Sequence, residues 1–320
     1  MAIDPDRFSL QSAIDKAWKT EGTLSTAHKE LISLCCRIPV ASPPSNEGEL
    51  DTLQRVVSSC EFLQTISSAK HGGFLSDHGE MFPRAIREFI HSVACQFHIP
   101  AENLPKEFSD ELAAYITFSK SHVATTNYDN LLYQSLIERD ILKGFDSVLR
   151  DGFTNTKGFQ IDHLKRFKAK ASSTGFYLHL HGSPLYFDDG DLIRKRKQSE
   201  LVWNIGDSYP HIVLTHVEHK MSMISSSRLL SGYWTAFEEA LGEVSAVLLF
   251  GYSGLDKHLN EKISLAENVK NIEIIEWAGS GEHLQRQKFW EKIFPQTVSL
   301  ERLDNILSFS HWDAGPREAK

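Results

Sequence analysis

Several residue types that would place a protein in a functional class are scarce in this sequence. It has four cysteines in 320 residues, Cys35, Cys36, Cys60 and Cys95. None forms a CxxC pair and none lies in the C-terminal two-thirds, which argues against a zinc site built from thiolates and for reduced thiols. Basic excess is absent: the formal charge is −8, so there is no general surface for nucleic-acid or membrane phosphates. There is no secretory leader pattern and no apolar run of bilayer length, so the expected setting is the cytoplasm. The one basic run, "IRKRK" (193–197), comes after the acidic "DDGD" (188–191) and reads as a solvated loop. His211, His216 and His219 lie near Glu218 without the HExxH spacing. Strand alternation would put His211 and His216 on opposite faces, and no metal is expected.

What is present is ordinary globular material, 41% hydrophobic and 24% charged. Residues 1–118 place apolar residues at three- and four-residue spacing, in "STAHKELISLCC" and "MFPRAIREFIHSVACQF" among others, and read as helices. Ser25 is a candidate N-cap. The helical segments 25–36 and 84–98 could bury their apolar faces in their own core or in an interface. From residue 119 to 302 short apolar strands alternate with helical patterns. The strands are expected at 121–126, 176–181, 211–215, 245–250, 272–277 and 297–301, and the helices at 129–139, 219–241, 256–268 and 281–293. That alternation predicts an α/β domain, a Rossmann-like parallel sheet covered by helices on both faces, after a mostly helical N-terminal region. Residues 303–320 read as a tail.

In such a sheet, ligands bind at the carboxyl ends of the strands. Three of these ends carry unusual polar residues. The first strand runs into Thr126, Asn127, Tyr128 and Asp129. The second, "FYLHLH", runs into His181, Gly182 and Ser183. The strand "AVLLF" runs into Gly251, Tyr252, Ser253 and Gly254, with Asp256 opening the next helix. Each has a plain structural reading: Asp129 as an N-cap, His181 as a surface imidazole, "GYSG" as a tight turn. "GYSG" is not a nucleophile elbow, because Leu255 stands where that motif needs glycine. Taken together, the three turns offer an amide, a carboxylate, an imidazole and a glycine–hydroxyl turn along one edge. His179, on the same strand face as His181, reads as a packed or supporting histidine.

"TTNYDNLL", "LHLHGS" and "LLFGYSGLDKHLNEKI" resemble, in order and spacing, the motif set of the SIR2-like (sirtuin-related) domain family. The Thr-Thr-Asn-Tyr-Asp form is closer to the bacterial branch, whose members hydrolyse NAD, often in anti-phage defence. The segment "HVEHKMSMISSSRLLSGYW" resembles a Lys-to-Tyr-Leu stretch of one subfamily. The resemblance covers roughly residues 118–280.

It implies NAD as substrate, with Asn127 and His181 catalytic. Asn127 would hold the ribose or the attacking water, and His181 would accept a proton. Thr126, Asp129, Gly182, Ser183, Gly251, Ser253 and Glu276 would line the NAD site. Asp129 would take the nicotinamide carboxamide, and Gly251 and Ser253 would meet the phosphates. Glu276 would meet a ribose hydroxyl or else end its strand in solvent. The resemblance also implies a first strand with a Gly-rich loop. This sequence lacks that element, since "MAIDPDRFSLQSAI" resembles the segment C-terminal to the loop. The expected activity is therefore NAD+ glycohydrolysis in a prokaryotic defence setting. The alternative is a non-catalytic NAD- or ADP-ribose-binding scaffold subunit. A protein deacylase is disfavoured by the missing zinc cysteines. Relatives suggest a homo-oligomer, or assembly with an ATPase of the HerA type or another defence subunit.

Overall fold

The structure, a computed structural model, describes residues 9–66, 73, 75–98, 104–142, 147–154, 157–164, 174–197, 200–201, 211–214 and 217–312. Five helices come first: α1 (Leu10–Lys19), α2 (Thr26–Cys36), α3 (Glu47–Ile66), α4 (Asp77–Cys95) and α5 (Lys106–Ser119). Ser9, Ser25 and Ser76 cap three of them, their hydroxyls accepting the N–H groups of Ser12, His28 and Gly79. This satisfies donors that the first helical turn leaves unpaired. Ile14, Ile32, Leu50, Leu53, Ile86 and Phe89 meet in the core of α1–α4.

The remaining elements are β1 (Val123–Thr125), α6 (Leu131–Glu138), β2 (Leu149–Arg150), β3 (Phe153–Thr154), β4 (Gly158–Phe159) and β5 (Gly175–His179). They continue with β6 (Tyr186–Asp189), β7 (Leu192–Lys195), α7 (Val217–Ser226), α8 (Arg228–Glu243), β8 (Ala246–Phe250) and α9 (Lys257–Ser264). The last are β9 (Asn271–Trp277), α10 (His283–Ile293) and β10 (Thr297–Leu303). All pairings are parallel in the two three-stranded sheets, β1–β5–β2 and β10–β9–β8. One core joins them: Leu178 of β5, Leu249 of β8, Ile272 and Ile274 of β9, and Leu229, Leu230 and Tyr233 of α8 belong to a single apolar cluster. This is the expected α/β, Rossmann-like architecture behind a helical N-terminal region. Among the described residues every element before β1 is a helix, and β1 and β8 each keep one edge without a strand partner.

Three local expectations need correction. Residues 211–214 form no strand; Ile212 makes one isolated bridge to Gly182, and Thr215 lies outside the described residues. The apolar run there reflects burial, since Ile212, Val213 and Leu214 are all buried, while its polar backbone atoms serve a turn instead of a ladder. The helix expected over 219–241 is two helices, divided at Ser227, whose hydroxyl accepts the Leu230 N–H and starts α8. The basic run is no solvated loop. It lies largely in β7, hairpinned to β6, with Ile193 buried. Lys195 reaches inward to Asp151 and Tyr133, and Arg196 lies over the Phe187 ring. At the C-terminus, Trp312 packs on Phe108 and Phe309 packs on Phe250 and Trp312, so the chain stays in contact with the body through Trp312. Residues 313–320 lie outside the described set.

The helical region and the sheet share buried histidines. His91 of α4 places Nε2 3.0 Å from the Pro184 carbonyl, and His179 of β5 places Nδ1 2.7 Å from the Tyr186 hydroxyl. Burial pushes His91 and His98 down to about 4 and His179 down to about 3. A histidine lowered on folding binds fewer protons native than unfolded once the pH drops below its ordinary value. Its stabilisation is full above about pH 6.5 and drains away below it, by about 1.4 kcal/mol per pH unit per histidine. Asp129, raised by burial, works in the opposite sense but is a single group. The urea midpoint is therefore expected to fall steeply between pH 6.5 and 5; a flat midpoint over that window would refute the assignment.

Candidate active site at the strand ends

The turn after β1 is built from its own polar groups. The Asn127 N–H donates to Thr125 Oγ1 at 3.1 Å, and the Leu131 N–H donates to Asp129 Oδ1 at 3.0 Å. Asn130 holds the formal cap position of α6 without a side-chain cap bond, so Asp129 does the capping. The plain reading of Asp129 is thus correct as far as it goes. Burial nevertheless raises its carboxyl above the ordinary value, against the opposing bonds from the backbone and the Asn127 side chain. Asn127 is exposed, whereas Thr126 and Asp129 are half-buried.

The turn after β5 is fixed from both sides. The Leu180 N–H donates to the Thr125 carbonyl, the Val213 N–H to the His181 carbonyl, and Trp234 Nε1 to the Leu180 carbonyl, each at 2.9 Å. Gly182 takes φ +81°, and a Cβ there would lie 1.7 Å from the His211 carbonyl oxygen. Only glycine permits this approach of two backbones. Tyr128 joins the first turn to the second. Its hydroxyl donates to the Val213 carbonyl, its ring centroid is 6.3 Å from that of His181, and it stacks on Phe97 of the helical region at 6.0 Å.

The turn after β8 closes the arrangement. His181 Nε2 stands 2.9 Å from Asp256 Oδ2, and Lys220 Nζ stands 2.8 Å from the same oxygen. Asp256 Oδ1 accepts the N–H groups of His258 and Leu259 at the start of α9. Burial pushes this carboxyl up, but the bonds from His181 and Lys220 outweigh it and hold it well below the carboxylate range. All three side chains are buried. A bond between the end of β5 and the turn after β8 links the strand ends of the two sheets.

The expected site residues are not placed alike. Asn127, Asp129, His181 and Gly182 gather around Tyr128 and Val213, and Ser253 is exposed on the third turn. Ser183 is sealed, 1% exposed, with its hydroxyl accepting the Leu185 N–H. Gly251 has φ +64°, but its N–H is committed to the Ile275 carbonyl at 2.8 Å, so it shapes the turn and does not present that donor. Glu276 is buried and already bonded by Arg286, Ser280 and Trp290 Nε1, with Arg302 3.1 Å away. Arg286 also donates to the Ser253 carbonyl, so Glu276 braces that turn from behind.

Sequence reasoning does not single out Asp256 or Lys220. Asp256 has the look of a helix cap, which it is, and Lys220 sits in a segment where only its company with the family-like Lys-to-Tyr-Leu stretch marks it. Of the histidines near Glu218, His211 is engaged by Ser227 and Asp188 at 2.9 Å each; His216 and the His219 side chain lie outside the described residues. No group of three or more metal-ligating side chains occurs among the described residues, and no helix among them is long and apolar enough to cross a membrane.

Fold and site together define a Rossmann-like α/β domain with its polar constellation at the strand ends. The SIR2-like domain family model matches residues 121–293, more than half of the chain and all three turns, and the chain belongs to that family. SIR2-like domains bind NAD, and the family includes NAD-utilising enzymes. No curated protein matches the chain.

Proposed function

We propose that this protein is an NAD+ glycohydrolase, using water to split NAD+ into ADP-ribose and nicotinamide. The observation that carries the reading is the buried His181–Asp256 pair beside the turn that holds Asn127 and Asp129. Nicotinamide is a competent leaving group, so the protein must mainly orient the ribose, hold the departing amide and deprotonate water as the C1′–N bond breaks. With Asp256 ionised, Nε2 of His181 carries the proton that it donates to the carboxylate, and the lone pair falls on Nδ1. That tautomer is the one a general base needs, and imidazole titrates near the working pH. Asp129, with its raised carboxyl, suits a carboxamide, which both donates and accepts. Exposed Asn127 suits the ribose or the water, and the Ser253 hydroxyl suits a phosphate oxygen. Ser183 and Glu276 take no direct part in this reading.

The likeness of the first turn to the bacterial branch supports extending the reading to anti-phage defence by NAD depletion in a prokaryotic cytoplasm. On the same ground we place the protein in a homo-oligomer or beside a HerA-type ATPase. A non-catalytic NAD-binding subunit is the second reading, favoured by one observation: the Gly251 N–H is used within the sheet.

Nicotinamide release from NAD+ by the purified protein, measured by chromatography, decides between them. Turnover is expected to fall by about 10²-fold or more in His181→Ala, by the usual worth of a positioned base, and by about 10²-fold in Asn127→Ala, by the worth of an orienting contact, with the circular dichroism of both variants unchanged. Binding of NAD+ without nicotinamide release would select the scaffold; release that survives both substitutions would remove these residues from the chemistry.

A further inference from the structure

The Asp256 carboxylate is crowded with donors, and their arrangement bears on what His181 can do. One oxygen receives both the His181 imidazole at 2.9 Å and the Lys220 ammonium at 2.8 Å. The other receives two N–H groups at the start of α9, at 3.1 and 3.2 Å, where the helix dipole favours negative charge. Lys220 is itself buried, 8% exposed, on α7, and its ammonium pairs with no other acid among the described residues. A buried lysine is costly unless its charge is matched, so its place beside a carboxylate that already has a partner calls for a reason.

We propose that Lys220 is a positioning residue for His181, balancing the Asp256 charge so that the carboxylate fixes the tautomer of the imidazole without holding it protonated. The inference rests on the glycohydrolase reading for its consequence in catalysis, and on the geometry alone for its electrostatics. An unbalanced carboxylate at hydrogen-bond distance favours imidazolium, which has no lone pair and cannot take a proton from water. With Lys220 on the same oxygen, the local charge of the pair is close to zero, and Asp256 acts on His181 chiefly as an oriented acceptor.

Other titratable groups surround this trio. His258 on α9 lies on the Trp234 ring at 4.4 Å and is lowered by burial, with Lys262, Glu261 and Glu238 acting on it beyond. The Tyr252 hydroxyl bonds the Asp256 backbone and Asn260, and burial raises its phenol. Tyr128 faces His181 from the first turn, beside Asp129. None of these sits on the Asp256 carboxylate oxygen that His181 and Lys220 share.

The test is the titration of His181 by nuclear magnetic resonance on histidine-labelled full-length protein, its signal assigned by its loss in His181→Gln. Lys220→Met leaves the carboxylate unbalanced and is expected to move the His181 midpoint up by about one pH unit or more. Asp256→Asn leaves the ammonium unbalanced and is expected to move it down. Lys220→Arg, which keeps the charge, should leave it within a few tenths of the unsubstituted protein. The double variant Lys220→Met/Asp256→Asn should return it towards that value. If Lys220→Met does not fold, the downward shift in Asp256→Asn and its reversal in the double variant decide the question equally. Midpoints that do not move, or that move in one direction for both charge-changing variants, overturn the proposal. Opposite shifts in a protein that releases no nicotinamide would uphold the charge balance and defeat only the catalytic reading. Where release is found, the acidic limb of kcat/KM against pH should track the same shifts, which a purely structural lysine would not produce.

Discussion

Gly182→Ala is expected to cost roughly 2–5 kcal/mol of stability, combining a strained left-handed backbone with forced overpacking. It should also remove whatever activity the site has. The added Cβ would lie 1.7 Å from the His211 carbonyl oxygen, 2.7 Å from its carbon and 3.2 Å from Ile212 Cα. All three are backbone atoms, so no side chain can swing away. Either the 211–214 segment retreats, breaking the Val213 N–H bond to the His181 carbonyl and the Tyr128 contact, or the turn carrying His181 opens. Gly190 provides the control. It sits in the β6–β7 turn at φ +60° with nothing within 4 Å of the added carbon. Alanine there should cost only the conformational part, about 1 kcal/mol. Urea unfolding of both variants makes the comparison; equal losses would show that the close approach at Gly182 does not exist.

The second large effect is expected at Glu276. Its carboxylate is 3% exposed and receives Arg286 at 2.8 Å, Trp290 Nε1 at 3.1 Å and the Ser280 hydroxyl at 2.9 Å, with Arg302 at 3.1 Å. Burial raises this carboxyl, the donors lower it, and the donors win. Replacing it by leucine should cost about 3–5 kcal/mol, because two guanidinium groups lose their counter-charge in a buried place. Glu276→Gln keeps the shape and one acceptor and should lose less. Because Arg286 also donates to the Ser253 carbonyl, the turn after β8 should loosen in both variants and become more sensitive to protease. Adding Arg286→Met to Glu276→Leu should recover part of the loss, since it removes one stranded charge, and a double-mutant cycle measures the coupling. The sign with pH is fixed as well: a lowered carboxyl contributes above its ordinary value near 4.5 and loses that contribution as the pH falls below it. A Leu variant as stable as the parent at pH 7 would mean the cluster is not formed.

These two positions show different relations between sequence and site. Gly182 is readable as a turn residue after an apolar strand, yet nothing local says that a second backbone lies against it. Glu276 ends a strand in the row where ligands bind, which makes a ribose contact a fair expectation. Its actual partners, Arg286 and Arg302, lie ten and twenty-six residues further along the chain and reach it only through the fold. The 211–214 segment misleads for a related reason: a short apolar run has one appearance whether a ladder or simple burial demands it. The break at Ser227 is hidden because apolar spacing continues across it, while a single hydroxyl starts a new helix.

By itself the sequence determined the alternation of strands and helices, the helical start, and the three polar strand ends where Asn127, His181 and Ser253 stand. Hydrophobic period and turn chemistry are local properties, and they are written in consecutive residues. Only the tertiary structure decided that Asp256 serves a helix with one oxygen and His181 with the other, and that Lys220 shares the second. Charge balance acts over a few ångströms of space between residues dozens of positions apart, and spacing along a chain carries no measure of that distance.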